Sequence, residues 1–136
     1  MNQKDKVIAY QIFLYLAALF ITSLVVSNLI FQKFFYWHPI DANVLGIPLF
    51  ELSVGILPYP ITFLITDLIS EIFGQKKANQ VVIAGIFASF FSIGILLLAD
   101  FVPATPSSPI GDETFSQVFS LSPLAVLASM IAYLCA

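Results

Sequence analysis

The chain has 136 residues, of which 60% are hydrophobic and only 10% charged, with a formal net charge of −3 at pH 7. A mean hydropathy of +0.99 excludes an ordinary soluble globular domain and puts the chain in a lipid bilayer. One cysteine and one histidine exclude an internal disulfide and a His/Cys metal cluster, so no metal or other cofactor is expected, nor is a nucleic-acid partner.

In chain order, the first predicted span covers about 7–31, free of Asp, Glu, Lys and Arg. Lys4 and Lys6 precede it as they would a secretory signal, but the run is longer than a signal core and lacks a small-residue cleavage site, so a retained span is expected. Residues 33–52 form a loop whose Phe34, Phe35, Tyr36 and Trp37 suit an interfacial aromatic belt. The second span, about 53–73, is apolar except for Asp67 and Glu71 and is expected to bend at Pro58 and Pro60. The third covers about 80–100, with Ala84, Gly85, Ala88, Ser89 and Ser92 as small residues that let another helix approach closely.

Pro103, Pro106 and Pro109 make 101–113 a loop, and 114–119 suits a short interfacial helix. A last span begins at Ser122 and Pro123, where proline fits the first turn. Residues 121–136 reach only about 24 Å, short of a hydrocarbon core of about 30 Å, so this helix reads as cut short and the chain as a fragment. The expected architecture is all-α: a polytopic integral membrane helical bundle, one membrane domain over 1–136, with four helices in this chain. Lys4, Lys6, Lys76 and Lys77 fall on one side of this topology and only Lys33 on the other, which predicts a cytoplasmic N-terminus. Cys135 reads as small apolar filler, and His38 as a belt residue.

Asp67 and Glu71 carry the chemistry. A carboxylate inside a span costs roughly 2.5–3.5 kcal/mol on insertion scales, so two of them are expected to face a protein interior or a watery cavity. Four residues apart, they share one helix face with Cβ atoms about 5–6 Å apart, and their repulsion is relieved by a shared proton, a cation or a donor-rich ligand. This is a transporter-like arrangement. The alternative for Glu71 is a cap at the cytoplasmic end, reaching toward Lys76 and Lys77. Ser27 and Asn28 lie in the outer third of the first helix, where Asn28 contacts either a neighbouring helix or a ligand. Thr62 and Thr66 can bond their own backbone, Glu51 reads as interfacial, and Tyr59 and Phe63 could stack on a flat ligand near the acids. With no Ser/His or Cys/His set inside the spans, an enzyme is not expected.

Ser27 and Asn28 with Lys33 behind them, the block Tyr59-Pro-Ile-Thr-Phe-Leu-Ile-Thr-Asp67 with Glu71, Gly74 and Lys76-Lys77-Ala78, then Thr114-Phe115 and Ala128-Ser129-Met-Ile-Ala-Tyr133, together resemble the queuosine precursor transporter family, also grouped as vitamin uptake transporters. The resemblance covers almost the whole chain, and its specific part is the run of Pro60, Thr62, Phe63, Thr66, Asp67 and Glu71. Leu124 departs from the pattern, which has a basic residue there. The resemblance implies a bacterial inner-membrane protein of about six helices that imports deazaguanine-type bases for tRNA modification. It also implies Asp67, Glu71, Asn28, Thr62, Tyr59 and Phe63 as substrate-binding residues. Other readings are a substrate-binding membrane subunit of an ATP-driven vitamin uptake complex, docked through the third helix, and a non-transporting structural subunit. A homo-oligomer fits each of them.

Overall fold

The computed structural model describes residues 3–36, 43–44, 47–48, 51–120, 123–124, 126–128 and 131. The described residues are mainly helical, and among them three helical segments are long and apolar enough to cross a membrane: Gln3–Ile30, Val54–Phe73 and Gln75–Phe101. The all-α membrane bundle expected from composition is the observed class. Trp37, His38, Cys135 and most of the predicted last span lie outside the described residues. Within that span, positions 123, 124, 126–128 and 131 are helical.

α1 (Gln3–Ile30) is apolar on all sides, as a helix surrounded by lipid and protein must be. Its 28 residues reach about 42 Å, longer than the hydrocarbon core. One stripe is buried: Phe20, Ser23, Leu24, Ser27 and Asn28, spaced three and four apart so that they stack on one face. α2 (Tyr59–Phe73) buries Thr62, Ile65 and Ile69, and α3 (Gln75–Phe101) buries Ala78, Val81, Gly85, Ser89 and Ile93. The three stripes meet, and Val126 joins the cluster they form.

Lipid tails are as apolar as leucine, so helices in a bilayer associate through close packing rather than through removal of apolar surface from water. Gly85 shows how. A Cβ built there would stand 2.7 Å from the Phe20 ring and 3.1 Å from Leu24, so its hydrogen atom is what lets α3 reach α1. Ser89, one turn on, is 1% exposed. The small-residue reading thus holds for Gly85 and Ser89, whereas Ala84 is exposed.

α2 and α3 abut with a single residue between them. Gly74 has φ of 88°, a left-handed value that side chains strain to adopt. It closes α2 through its N–H to the Ser70 carbonyl (3.0 Å), and its own carbonyl accepts from the N–H groups of Lys77 and Ala78. α3 therefore starts at Gln75, five residues before the predicted third span. Lys77 lies over the Phe13 ring of α1, 5.4 Å from its centroid, and Phe13 meets Phe73 edge-on. Lys77, one of the two lysines in the alternative reading of Glu71, thus makes a cation–π contact with an α1 ring.

The loop after α1 departs from expectation. Phe34–Tyr36 (β1) pairs antiparallel with Glu51–Ser53 (β4), Phe35 opposite Leu52, and Asn43–Val44 (β2) pairs with Ile47–Pro48 (β3). Phe35 and Leu52 turn one way and are half-buried, while Phe34, Tyr36 and Glu51 are exposed.

The predicted proline bend is also corrected. Val54–Ile56 is a 3-10 turn, Pro58 is the N-cap of α2 and Pro60 lies in its first turn, so both prolines start the helix and neither kinks it. Three hydrogen bonds hold this entry against α1 and the residues just after it, and a fourth lies within the entry itself. Ser27 Oγ donates to the Gly55 carbonyl, Ser53 Oγ to the Phe31 carbonyl (2.5 Å), and the Gly55 N–H to Ser53 Oγ (3.1 Å). The Val54 N–H donates to the Lys33 carbonyl at 2.7 Å.

At the far end of α3, α4 (Asp112–Phe119) begins two residues before the predicted helix. Asp112 and Glu113 occupy its first turn, where negative charge meets the positive end of the helix dipole. Asp112 accepts from the Ala104 N–H at 2.8 Å, and Ser116 donates to Asp100 at 2.5 Å. These bonds fold 102–111 back on α3.

Two substitutions test this packing. Gly85→Val is expected to cost about 1–3 kcal/mol by overpacking the α1–α3 contact, lowering the thermal midpoint of the detergent-solubilised protein, whereas Gly94→Ala, with nothing within 4 Å of its Cβ, leaves the midpoint in place. Gly55→Ala puts a methyl 2.7 Å from the Ser27 carbonyl oxygen and 3.0 Å from Phe31 Cβ. Backbone must shift there, and a loss of about 1–3 kcal/mol is expected in the same melting experiment.

Candidate functional site

The entry to α2 leaves a cleft of about 410 Å³ between the end of α1 and the turn that precedes α2. Ser27, Asn28, Phe31, Ser53, Gly55, Ile56 and Tyr59 line it. Its size is in the range of small-molecule sites, which combine mostly apolar walls with a few placed polar groups. Asn28 is 5% exposed and contributes a side chain that both donates and accepts. Tyr59, the first residue of α2, is half-buried.

Thr62 does not share this cleft. It is fully buried, and its Oγ1 donates to the Tyr59 carbonyl at 2.6 Å, so it fixes the first turn of α2. Thr66 likewise donates to the carbonyls of Thr62 and Phe63. Both threonines bond their own backbone, as the sequence suggested.

Phe63 is 51% exposed, and its ring meets that of Tyr59 at 5.6 Å in a T-shaped contact. Asp67 and Glu71 are exposed as well. They lie on the side of α2 away from Ile65 and Ile69, because two residues on a helix turn through about 200°. Neither α1 nor α3 encloses them, so the protein interior expected around the acids is not the three-helix packing face.

The expected binding residues thus fall into three places. Asn28 and Tyr59 both line the cleft, Thr62 is buried on the inward side of α2, and Phe63, Asp67 and Glu71 run down its outward face. Tyr59, Phe63, Asp67 and Glu71 recur every fourth residue, so they form one ridge with steps of about 6 Å. Sequence reading missed the part that Ser53, Gly55 and Phe31 play in the cleft. A glycine preceded by serine and valine at the head of a proline-containing span was the available signal. Glu51 is exposed on β4 opposite Tyr36, away from the membrane acids. Among the described residues, no group of three or more His, Cys, Asp or Glu could hold a metal ion.

A family model described as "Putative vitamin uptake transporter" matches residues 53–136. The match takes in Ser53, Gly55, Tyr59, Phe63, Asp67 and Glu71, together with α3 and α4. No curated protein and no solved structure matches the chain. With its matched segment holding both intramembrane acids and its helices built to cross a bilayer, the chain is a multi-pass membrane protein that belongs to the vitamin uptake transporter family.

Proposed function

We propose that this protein imports deazaguanine-type bases, the precursors of queuosine used in tRNA modification, across a bacterial inner membrane. The observation that carries the reading is the placement of Asp67 and Glu71 one turn apart on the outward face of α2, where contact with acyl chains alone would be costly. A base of this class presents a ring N–H beside an exocyclic amine, and one carboxylate accepts both as a bidentate pair. Asp67 takes that role. Glu71, a turn deeper, accepts a further donor or a coupling proton, Asn28 reads the carbonyl edge, and Tyr59 and Phe63 cover the ring face.

Orientation follows from the lysines. Lys4 and Lys6 begin α1 and Lys76 and Lys77 begin α3, ends that share one side because α1 and α2 run in opposite directions. Short loops rich in lysine stay in the cytoplasm, which supports a cytoplasmic N-terminus and an outward-facing cleft at the other end. The transport role leaves no bond-making step for the protein to catalyse. Residues 1–136 act as one membrane domain.

The test is queuosine content of tRNA in a strain that lacks both precursor synthesis and its own importer, supplied with low external precursor and expressing this protein. Restored queuosine is expected. Asp67→Asn, which keeps the shape but removes the charge, is expected to lower initial uptake about tenfold to a hundredfold through the loss of a charge-assisted pair worth about 1.5–3 kcal/mol. Undiminished uptake by a well-expressed Asp67→Asn protein would overturn the assignment, and restoration only beside an ATP-driven module would make the chain a binding subunit instead.

A further inference from the structure

We propose that a single water molecule is held between α1 and α3 by Ser89, Asn28 and Ser92, and that through it Ser89 acts as a positioning residue for the Asn28 amide. The water site stands on the packing of the helices, whereas its consequence for the ligand rests on the transport reading above and deepens it.

Asn28 borders a second space besides the cleft. Between the later halves of α1 and α3 lies a small chamber with about 10 Å³ of room for a water-sized sphere, close to what one buried water requires. Val25, Ile93 and Val126 are among its apolar walls, and Asn28, Ser89 and Ser92 are its polar ones. Three polar side chains match the two to four partners that a buried water takes. No carboxylate lines the chamber among the described residues, so a neutral molecule suits it better than a cation.

Ser89 carries the inference. It is 1% exposed, and its Oγ has no hydrogen-bond partner among the described residues. A helix serine can return its proton to the carbonyl four residues back, as Ser92 does to Ala88 at 2.9 Å. Ser89, which has the Gly85 carbonyl at that spacing, does not. Buried hydroxyls are rarely left without a bond, and hydrocarbon supplies none. A water in the adjoining chamber does.

The protons can be assigned on this basis. Because the Ser92 proton is committed to Ala88, Ser92 Oγ accepts from the water, while Ser89 can donate or accept. The Asn28 amide has two N–H donors and one acceptor oxygen, and Asn28 lines both spaces. It can bond the water on the chamber side and keep a donor for a ligand carbonyl on the cleft side. Fixing one end of a planar carboxamide fixes the other, so a hydroxyl on α3 governs a contact made in the cleft.

Two measurements test this. In a crystal structure grown from lipid, at a resolution that shows ordered water, density is expected within hydrogen-bonding distance of Ser89 Oγ, Ser92 Oγ and the Asn28 amide. A dry chamber, with Ser89 Oγ turned to the Gly85 carbonyl, would overturn the water. Equilibrium binding then separates positioning from packing, using 7-deazaguanine and 6-thio-7-deazaguanine, which keeps both N–H donors but has a poorly accepting sulfur in place of the carbonyl oxygen. Ser89→Ala is expected to weaken binding of 7-deazaguanine roughly fivefold to tenfold, about the worth of one hydrogen bond, and to change that of the thio analogue by less than about twofold. Ser92→Ala, which takes away an acceptor of the water, is expected to show the same pattern and serves should the Ser89→Ala protein be poorly folded. An equal loss for both bases, or no loss for either, would overturn the positioning role. Failure of the unaltered protein to bind either base would instead overturn the substrate reading, and the density beside Ser89 would still decide the water.

Discussion

Two carboxylates in a membrane helix have to be given something other than acyl chains, and this requirement organises the protein. α2 meets it by dividing its surface. Thr62, Ile65 and Ile69 pack inward and are buried, while Asp67 and Glu71 stand on the opposite side. Because a bilayer supplies no hydrophobic drive between helices, the inward side has to be held by close contact. Ile65 and Ile69 join Phe20 and Leu24 of α1 and Ala78 and Val81 of α3 in one buried cluster, Gly85 brings α3 close against Phe20, and the one-residue junction at Gly74 keeps α2 beside α3. The scaffold therefore uses one face of α2 for packing and leaves the face that carries Asp67 and Glu71 exposed.

The outer end follows the same logic at the level of the backbone. Inside a membrane, irregular backbone is tolerated where its polar groups are satisfied by protein or face a cavity. The 3-10 turn before α2 meets both conditions. Ser27 and Ser53 satisfy the carbonyls of Gly55 and Phe31, and the same residues wall the cleft that Asn28 and Tyr59 share. Ser27 and Ser53 thus tie the end of α1 to the turn before α2 and shape the cleft in one set of bonds.

Much of this was legible in the sequence. Uncharged runs marked the spans, proline and serine marked 101–113 as a loop, and the four-residue spacing of Asp67 and Glu71 fixed a shared face. Gly85 and Ser89 were recognisable as packing residues because small side chains are what a membrane helix contact needs. The direction of the acids was not legible. In a soluble helix the apolar side identifies the interior, but on α2 the exposed Leu64 and Ile72 are as apolar as the buried Ile65 and Ile69, so hydropathy does not separate the two sides. Strands of two or three residues, such as Phe34–Tyr36 and Glu51–Ser53, are too short to show alternation, and their pairing depends on a partner over a dozen residues away. Pro58 and Pro60 sit inside an apolar window, and only the turn at Val54–Ile56 reveals that they start a helix. The separation of Asn28 from Asp67 likewise emerges only once α1 and α2 are placed side by side.

The central claim is that Asp67 recognises its ligand by accepting two adjacent N–H donors. The most direct measurement compares equilibrium binding of 7-deazaguanine and of 7-deazahypoxanthine, which lacks the exocyclic amine, to the purified protein in lipid nanodiscs. A site built around that pair leaves a carboxylate oxygen without its partner when the amine is missing, and the account predicts at least about tenfold weaker binding of 7-deazahypoxanthine. Equal affinity for the two bases would contradict it, because the carboxylate would then play no part in reading the ligand.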